Sequence, residues 1–207
     1  MNENKLLALT FDDGPAETTI AIIRALQRNE ASATFFVNGC CLKKYPEITK
    51  MAAGNGCEIA NHTTNHLHLP ELTYEEVVKE IETTNDLIEE ITGSKPSIMR
   101  PPFGEYDGMV RQAAKDCNLA LVNWSIDPYD WESDEATTTR QRILEELKEN
   151  SVILCHDRMV STSELMITFI AELYDKGYML VTVTELFRRR KIKMMPGVMY
   201  LSPDQQS

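Results

Sequence analysis

The chain has 207 residues, of which 43% are hydrophobic, so it is long enough to bury the core of one ordinary domain. Its formal net charge of −11 at pH 7 argues against nucleic acid as a partner, because phosphate binding depends on basic patches. No stretch is long and apolar enough to span a bilayer. We therefore expect one domain over residues 1–207, with a core at about 5–200, that is a monomer without a transmembrane segment.

Neither a leader nor a disulfide framework is visible in the sequence. No charged region followed by an apolar one precedes Leu6, so the chain as written is expected to be cytoplasmic, whereas a removed leader would make it secreted or part of the cell envelope. The five cysteines are an odd number, Cys40 and Cys41 are adjacent, and no CxxC pair occurs. This pattern predicts reduced thiols and favours a reducing compartment.

Short apolar runs typical of strands alternate along the chain with segments of helical periodicity. The predicted strands cover residues 6–11, 33–37, 57–60, 98–99, 119–124, 152–154 and 179–183. The predicted helices cover residues 17–29, 46–54, 73–92, 106–117, 135–149, 161–176 and 185–191. Thr73 followed by Glu76 is a capping-box signature for the third of these helices.

Seven strands that alternate with helices imply a parallel sheet, which is either an open doubly wound sheet or a closed barrel. Two features favour the barrel. No glycine-rich nucleotide loop follows the first strand, and polar motifs follow nearly every strand. An open sheet would instead concentrate its site at one switch point.

Five short polar motifs lie just past the ends of predicted strands. They are residues 10–14 (TFDDG), 62–66 (HTTNH), 100–104 (RPPFG), 127–131 (DPYDW) and 154–157 (LCHD). The carboxyl ends of the strands meet at one end of a barrel, so we expect the motifs to converge there into one active site.

The histidine motif predicts a metal site. His62 and His66 are four residues apart, a spacing that puts both imidazoles on one face of a helical turn. Two histidines and one carboxylate are a common open catalytic set for zinc or iron, and Asp13 can supply the carboxylate. Asp12 and Asp13 are adjacent after a buried strand, so one can ligate the metal while the other acts as a general base.

Arg100 and His156 complete this chemistry. Arg100 can be the charge partner that keeps the free carboxylate ionised in a partly buried cleft. His156 should emerge at a strand end, where Asp127 can orient its imidazole and suit it to general acid catalysis. Asp130 and Asp157 are alternative partners for this histidine.

Aromatic residues lie in the same loops. Phe103, Tyr129 and Trp131 can belong to the core, but a wall for sugar rings also needs such faces.

The five motifs, in this order over essentially residues 5–200, resemble the polysaccharide deacetylase family, carbohydrate esterase family 4. Residues 33–39 (ATFFVNG) and 196–200 (PGVMY) also resemble members of this family. The resemblance implies an α/β fold, a deformed (β/α)7 barrel, and a divalent metal, usually zinc or cobalt.

The resemblance also implies a role for each motif residue. It implies that the metal ligands are Asp13, His62 and His66. It implies that Asp12 is the general base and is tethered by Arg100, and that His156 is the general acid and is tuned by Asp127. It further implies that a backbone N–H at Phe103 holds the oxyanion and that Leu154 lines the pocket for the acetyl methyl group, beside the aromatic wall that includes Trp131.

The expected activity is metal-dependent hydrolysis of N-acetyl groups on an N-acetylglucosamine-containing polysaccharide or oligosaccharide, of the peptidoglycan or chitin type. One alternative is an O-acetyl esterase on xylan, which uses the same site with an easier leaving group. Another is a catalytically silent carbohydrate-binding relative, which would be expected to have lost Asp12 or His156. Both residues are present.

Overall fold

The computed structural model describes residues 5–132 and 135–206. Its strands are β1 (Lys5–Asp12), β2 (Thr34–Val37), β3 (Glu58–Asn61), β4 (Ile98–Met99), β5 (Ala120–Val122), β6 (Val152–His156), β7 (Tyr178–Leu180), β8 (Met199–Ser202) and β9 (Gln205–Gln206). Its helices are α1 (Thr19–Arg28), α2 (Gly39–Lys44), α3 (Pro46–Gly54), α4 (Tyr74–Thr92), α5 (Gly108–Asp116), α6 (Ala136–Glu146), α7 (Val160–Asp175) and α8 (Val183–Arg189). Short 3₁₀ turns lie at Leu69–Glu71 and Pro102–Gly104.

The strands follow the order β6-β1-β2-β3-β4-β5-β8-β9, and β7 also pairs with β1. The strands β1 to β8 pair in parallel, and the β8–β9 pair is antiparallel. Beyond β5, Ile126 bridges to Ile153 of β6 in parallel, which closes the wall. The predicted deformed (β/α)7 barrel is confirmed.

The barrel is deformed because two strands enter its wall at different heights. Residues 5–7 of β1 pair with β7, whereas residues 10–12 pair with β2. In the same way, β8 pairs with residues 121–122 of β5, while the chain just beyond β5 pairs with β6. The seventh and eighth strands therefore fill positions below the rim, and the upper wall is left to the strands that carry the polar motifs.

Local signals at both ends of the third predicted helix, which is α4 in the structure, explain why its ends can be predicted from the sequence. The Thr73 side chain accepts a hydrogen bond from the Glu76 N–H at 3.3 Å, and the Glu76 carboxylate accepts one from the Thr73 N–H at 2.9 Å. These bonds satisfy N–H groups that have no partner inside a helix. Gly93 ends the helix with a left-handed φ of 79°. The capping box is confirmed, and helix α3 has the predicted bounds.

Other boundaries differ from the sequence expectation. The strand predicted to reach Val183 ends at Leu180, because the Thr182 side chain caps α8 by accepting from the Glu185 N–H at 3.2 Å. Helix α2 and the β8–β9 pair were not predicted. Each is too short to show periodicity in the sequence.

Alternation along the strands decides which residues face the barrel interior. In β1, Leu7, Leu9 and Phe11 pack in the cluster shared with helices α1 and α7. Leu6 and Ala8 pack in the separate cluster inside the barrel. Residues 10 and 12 continue the inward series, so the last inward position of β1 is a polar side chain at the carboxyl end.

No helix in the described part of the chain is long and apolar enough to cross a membrane.

Candidate active site

Four motif residues occupy the inward positions at the strand ends. Ala60, Ile98 and Val152 pack inside the barrel. The inward-facing position at the end of each of their strands, or just past it, is occupied by His62, Arg100 and His156 respectively. Asp12, the last residue of β1, occupies the fourth such position. Asp12 and His156 are directly paired across β1 and β6. The predicted convergence of the motifs therefore follows from strand parity.

Asp13 reaches the same place by a different route. A regular strand would turn its side chain to the outer face, beside Phe11. Instead the backbone at Asp13 is left-handed, with φ of 71°, a conformation that aspartate adopts more readily than most residues. The two consecutive carboxylates consequently both point into the mouth of the barrel.

Asp13, His62 and His66 bring three possible ligand atoms within 4.8 Å of one another. Oδ1 of Asp13 lies 3.6 Å from Nε2 of His62 and 3.2 Å from Nε2 of His66. This Oδ1 is buried and accepts no hydrogen bond within the described residues. Three converging lone-pair donors with an unsatisfied carboxylate oxygen fit a divalent transition metal.

The protonation of the cluster also suits metal binding. Nδ1 of His62 lies 2.7 Å from the Arg100 carbonyl, which can only accept, so Nδ1 is the donor and Nε2 is the ring nitrogen left to face the cluster. Burial lowers the pKa of His66, and the neighbouring His62 lowers it further. Burial by itself raises the pKa of Asp13, but the histidines and Arg158 outweigh it and hold this pKa below its usual value.

The predicted helical turn between the two histidines is wrong. Residues 62–68 are a loop, and both Thr63 and His66 have left-handed backbones, with φ of 65° and 55°. The imidazoles nevertheless meet, with ring centroids 5.0 Å apart. The spacing of four residues therefore predicted the right pair through the wrong local structure.

Asp12 is tied to a fully buried arginine. Arg100 has an exposed fraction of 0%, and its guanidinium lies 4.1 Å from the Phe36 ring centroid. Its hydrogen bonds go to Asp12 Oδ1 at 2.7 Å, Thr10 Oγ1 at 2.8 Å, the Val122 carbonyl at 3.0 Å and the Asn123 carbonyl at 2.8 Å. Burial lowers the pKa of Arg100, and the charge of Asp12 offsets part of that effect. The expected contact between Arg100 and Asp12 is present.

His156 pairs with Asp130. Oδ1 of Asp130 lies 2.7 Å from Nδ1 of His156, and Oδ2 accepts from the His156 backbone N–H at 2.8 Å and from Thr162 Oγ1 at 2.6 Å. Asp130 is fully buried. Burial alone would lower the pKa of His156, but the hydrogen bond and charge of Asp130 raise it above its usual value.

The structure corrects the prediction that Asp127 orients His156. Asp127 instead accepts from the Tyr129 N–H at 2.9 Å and so caps the turn that carries Asp130 inward. Burial raises the pKa of Asp127, and the nearby charge of Asp130 raises it further. Both aspartates lie in one irregular loop, where no periodicity says which side chain turns inward.

The residues expected at the substrate pocket lie at different depths. Phe103, in the turn after Arg100, and Trp131 are about half exposed, at 51% and 52%. Leu154 is buried in β6. Tyr129 lies beside Trp131 with ring centroids 6.1 Å apart, so the aromatic wall proposed from the sequence has members on the rim.

Arg158 was missed by the sequence reasoning, whereas His68, two residues beyond His66, is expected from the sequence to face solvent or to lie outside the ligand set, and it is exposed. Nε of Arg158 lies 3.0 Å from Oδ2 of Asp13 and holds the oxygen that faces away from the histidines. His68 stacks on Phe103 at 4.0 Å and bonds Glu105 at 2.8 Å. Both lie in loops beyond the reach of strand parity.

Asp157 is a buried carboxyl whose hydrogen bond goes to Thr19 and not to the neighbouring His156. Its Oδ2 accepts from Thr19 Oγ1 at 2.6 Å, while Oδ1 has no hydrogen-bond partner among the described residues. The carboxyl packs against Gly14, where an added Cβ would fall 2.1 Å from Oδ2. Burial raises the pKa of Asp157 to about 7, and the charge of Asp13 contributes in the same direction.

The mouth of the barrel carries a candidate Asp/His/His metal site, and comparison with known proteins identifies the family of the chain. Residues 1–122 match the family described as polysaccharide deacetylase. The chain is 37% identical over 188 residues to the peptidoglycan-N-acetylmuramic acid deacetylase PdaC of Bacillus subtilis strain 168, covering 90% of this chain and 40% of that protein. The chain belongs to the polysaccharide deacetylase family, carbohydrate esterase family 4.

Two solved structures show the same fold. The structure of T48 deacetylase with substrate superposes with a TM-score of 0.89 at 36% identity, covering 95% of this chain and 96% of that one. The Xyl-CE4 domain of a multidomain xylanase, from the hindgut metagenome of Trinervitermes trinervoides, gives 0.90 at 27% identity, covering 99% of this chain and 100% of that one. The chain spans well under half the length of PdaC, whose name describes a larger protein.

We expect Asp157→Asn to flatten the pH dependence of stability in metal-free protein. The folded-state pKa of Asp157, about 7, lies above the ordinary aspartate value of 3.8, so the folded protein keeps a proton that the unfolded chain releases. Its contribution is fully present below about pH 4 and is lost as the pH rises through about 7. The variant should gain on the order of a few kcal/mol relative to wild type between those limits. Urea unfolding at several pH values measures this, and Asp175→Asn is an exposed control.

Parallel stability curves for wild type and Asp157→Asn across that range would show that Asp157 is ionised in the folded protein.

Proposed function

We propose that this protein is a metal-dependent hydrolase that removes N-acetyl groups from an N-acetylglucosamine-containing polysaccharide or oligosaccharide, of the peptidoglycan or chitin type. One observation carries the proposal. A carboxylate paired with a buried arginine and a histidine paired with a buried aspartate flank the Asp13, His62, His66 cluster. Amide hydrolysis needs a base, an acid and an electrophile in this arrangement.

The cluster is proposed to bind zinc, with cobalt or another divalent transition ion as a substitute. Neutral imidazoles and one carboxylate suit these ions. The bound ion would polarise the acetyl carbonyl and make a water molecule more acidic. Asp13 would ligate through Oδ1, because Arg158 occupies the side of Oδ2.

Asp12 is proposed as the general base. Its Oδ1 accepts from Arg100 at 2.7 Å, while Oδ2 faces the ligand cluster at 3.7 Å from Nε2 of His62. One oxygen is therefore anchored and the other is placed to take a proton from the attacking water. Arg100 compensates the buried negative charge of Asp12 through their ion pair.

His156 is proposed as the general acid. An amine leaves as an anion only at great cost, so it must gain a proton before the carbon–nitrogen bond breaks. The pairing of Nδ1 with Asp130 leaves Nε2 as the proton donor, and the raised pKa of His156 favours its protonated form. Asp12 and His156 are cross-strand partners, so acid and base lie side by side.

The rim residues are proposed to hold the sugar. The backbone N–H of Phe103 would help to stabilise the oxyanion, and Leu154 would contact the acetyl methyl group. Trp131 exposes 52% of its surface beside Tyr129 and offers a flat face for a pyranose ring. The glycan is the partner we propose for this site.

An O-acetyl esterase on xylan is the second candidate. Its support is the likeness to the Xyl-CE4 domain of a xylanase, at 27% identity. The pairing of His156 with Asp130 favours the amide substrate, because an alkoxide leaves with less help from an acid. A catalytically silent binding protein is less consistent with a site that retains both its acid and its base.

We expect the purified protein to release acetate from acetylated chitooligosaccharides or from peptidoglycan. Chelation should abolish the reaction, and added zinc or cobalt should restore it, because the ligand cluster needs a cation to activate water. Enzymatic acetate assay with elemental analysis of each preparation measures both. Acetylxylan in parallel tests the esterase. Full activity in a preparation free of metal would contradict the proposed mechanism.

Replacement of Asp12 should separate base catalysis from metal binding. Asp12→Asn still accepts a hydrogen bond from Arg100 but cannot take a proton, so the rate should fall about 10²–10⁴-fold with metal content nearly unchanged. Steady-state kinetics and elemental analysis report the two effects, and Asp175→Asn is the exposed control. A variant that lost metal but kept its residual rate would exchange the roles of the two aspartates.

Replacement of His156 should damage amide hydrolysis more than ester hydrolysis. His156→Ala should lose on the order of tens-fold more rate on an acetamido sugar than on an activated acetate ester, since only the amine needs protonation. Asp130→Asn should lower the upper pKa of the pH–rate profile, because Asp130 raises the pKa of His156. Asp127→Asn, in the same loop but bonded to Tyr129, is the matched control.

If His156→Ala lost the same factor in rate on the amide and on the ester, and Asp130→Asn left the upper pKa of the pH–rate profile unchanged, the acid role would be contradicted. His156 would then be a structural or substrate-binding residue.

A further inference from the structure

Helix α4 turns a polar patch toward the loop that carries the two histidines. Three of the six buried residues of this helix are apolar and pack in the core, as Val77 and Ile81 do. Glu80, Thr84 and Asn85 are buried as well, and Glu80 has an exposed fraction of only 8%. A buried carboxylate that the proposed chemistry does not use calls for a physical reason.

Both oxygens of Glu80 bind the chain between His62 and His66. Oε2 accepts from the backbone N–H groups of Thr64 at 3.0 Å and Asn65 at 2.8 Å. Oε1 accepts from Nδ2 of Asn65 at 2.6 Å. A single carboxylate thus satisfies two consecutive backbone donors that a loop would otherwise leave to solvent.

The start of the same loop is held by the next turn of the helix. Nδ2 of Asn61 donates to Oδ1 of Asn85 and to the Ile81 carbonyl, both at 2.8 Å. Oδ1 of Asn61 accepts from the Thr63 N–H at 2.7 Å. The bonds from α4 therefore continue to the residue before His62.

Helix α2 holds the opposite side of the loop. The N–H groups of Gly39 and Cys40 donate to the carbonyls of Thr63 at 3.0 Å and Thr64 at 3.1 Å. The approach is close at Gly39, where an added Cβ would lie 2.7 Å from Oγ1 of Thr84. The loop is consequently fixed from two sides, through its N–H groups by α4 and through its carbonyls by α2.

This bracing is needed because the loop is strained. Thr63 and His66 both have positive φ, and Thr63 is β-branched, so it adopts this conformation only when its surroundings impose it. The strain lets two histidines four residues apart direct Nε2 at the same oxygen without a helix between them.

We infer that Glu80 is a positioning residue for the metal ligands, whose carboxylate holds residues 63–65 in the conformation that directs His62 and His66 at Asp13. The inference rests on the proposed metal site. Glu80 touches neither the ligand atoms nor the pocket, and it acts through the backbone of Thr64 and Asn65.

The test is zinc affinity of the metal-free protein, measured by competition with a chromophoric chelator in the absence of glycan. Glu80→Ala should weaken zinc binding about 10–100-fold, the usual effect of losing a group that orients metal ligands. Glu80→Gln should stay within a few-fold of wild type, since its carbonyl oxygen can still accept both backbone bonds. Glu90→Ala, an exposed glutamate on the same helix, is the matched control and should not change the affinity.

Asn65→Ala keeps the inference testable if Glu80→Ala does not fold. Asn65 is exposed, and its replacement removes only the side-chain bond to Glu80, so zinc affinity should fall a few-fold. Wild-type affinity in folded Glu80→Ala, or in Asn65→Ala, would overturn the inference.

The two hypotheses fail differently. If the wild-type protein binds zinc but releases no acetate, the proposed function is contradicted. The role of Glu80 then stands as long as the zinc affinities of the variants rank as expected. A wild type that deacetylates, with variants that all bind zinc equally, contradicts the role of Glu80 alone.

Discussion

The buried ion pair between Arg100 and Asp12 is the interaction on which the rest of the site depends. A guanidinium with no exposed surface is stable only when its donors are satisfied and its charge is matched, and β1 and β5 supply both. Loss of one partner of such a pair typically costs about 3–5 kcal/mol, because the other is left as an uncompensated buried charge. The carboxylate proposed as the base is therefore also a structural one, and its position is set by the packing of the barrel.

Neighbouring charges, and not burial, divide the histidines by role. Burial lowers the pKa of both His66 and His156. At His66 the adjacent His62 adds to this effect, which favours the neutral ring that the proposed metal ligand needs. At His156 the carboxylate of Asp130 outweighs burial, which favours the protonated ring that the proposed acid needs. The mouth of the barrel thus gives two histidines opposite pKa shifts.

The sequence predicts what strand parity controls, but it does not predict the loop conformations that complete the site. The inward series that ends in Asp12 or His156 can be read from alternation, and the capping box at Thr73 from two residues. The choice of Asp130 over Asp127 depends on a turn capped by a side chain, and the meeting of His62 with His66 depends on left-handed residues. Such loops are shaped by distant helices, which a local pattern cannot reveal.

The two consecutive aspartates show why this mouth is suited to a cation. The left-handed backbone at Asp13 turns its carboxylate inward beside Asp12, against their mutual repulsion. Arg100 compensates Asp12, and Arg158 contacts only the outer oxygen of Asp13. The inner oxygen then faces two imidazole nitrogens and accepts no hydrogen bond within the described residues. Three lone pairs that face one another repel unless a positive charge lies between them, which supports the proposal that a metal ion binds here.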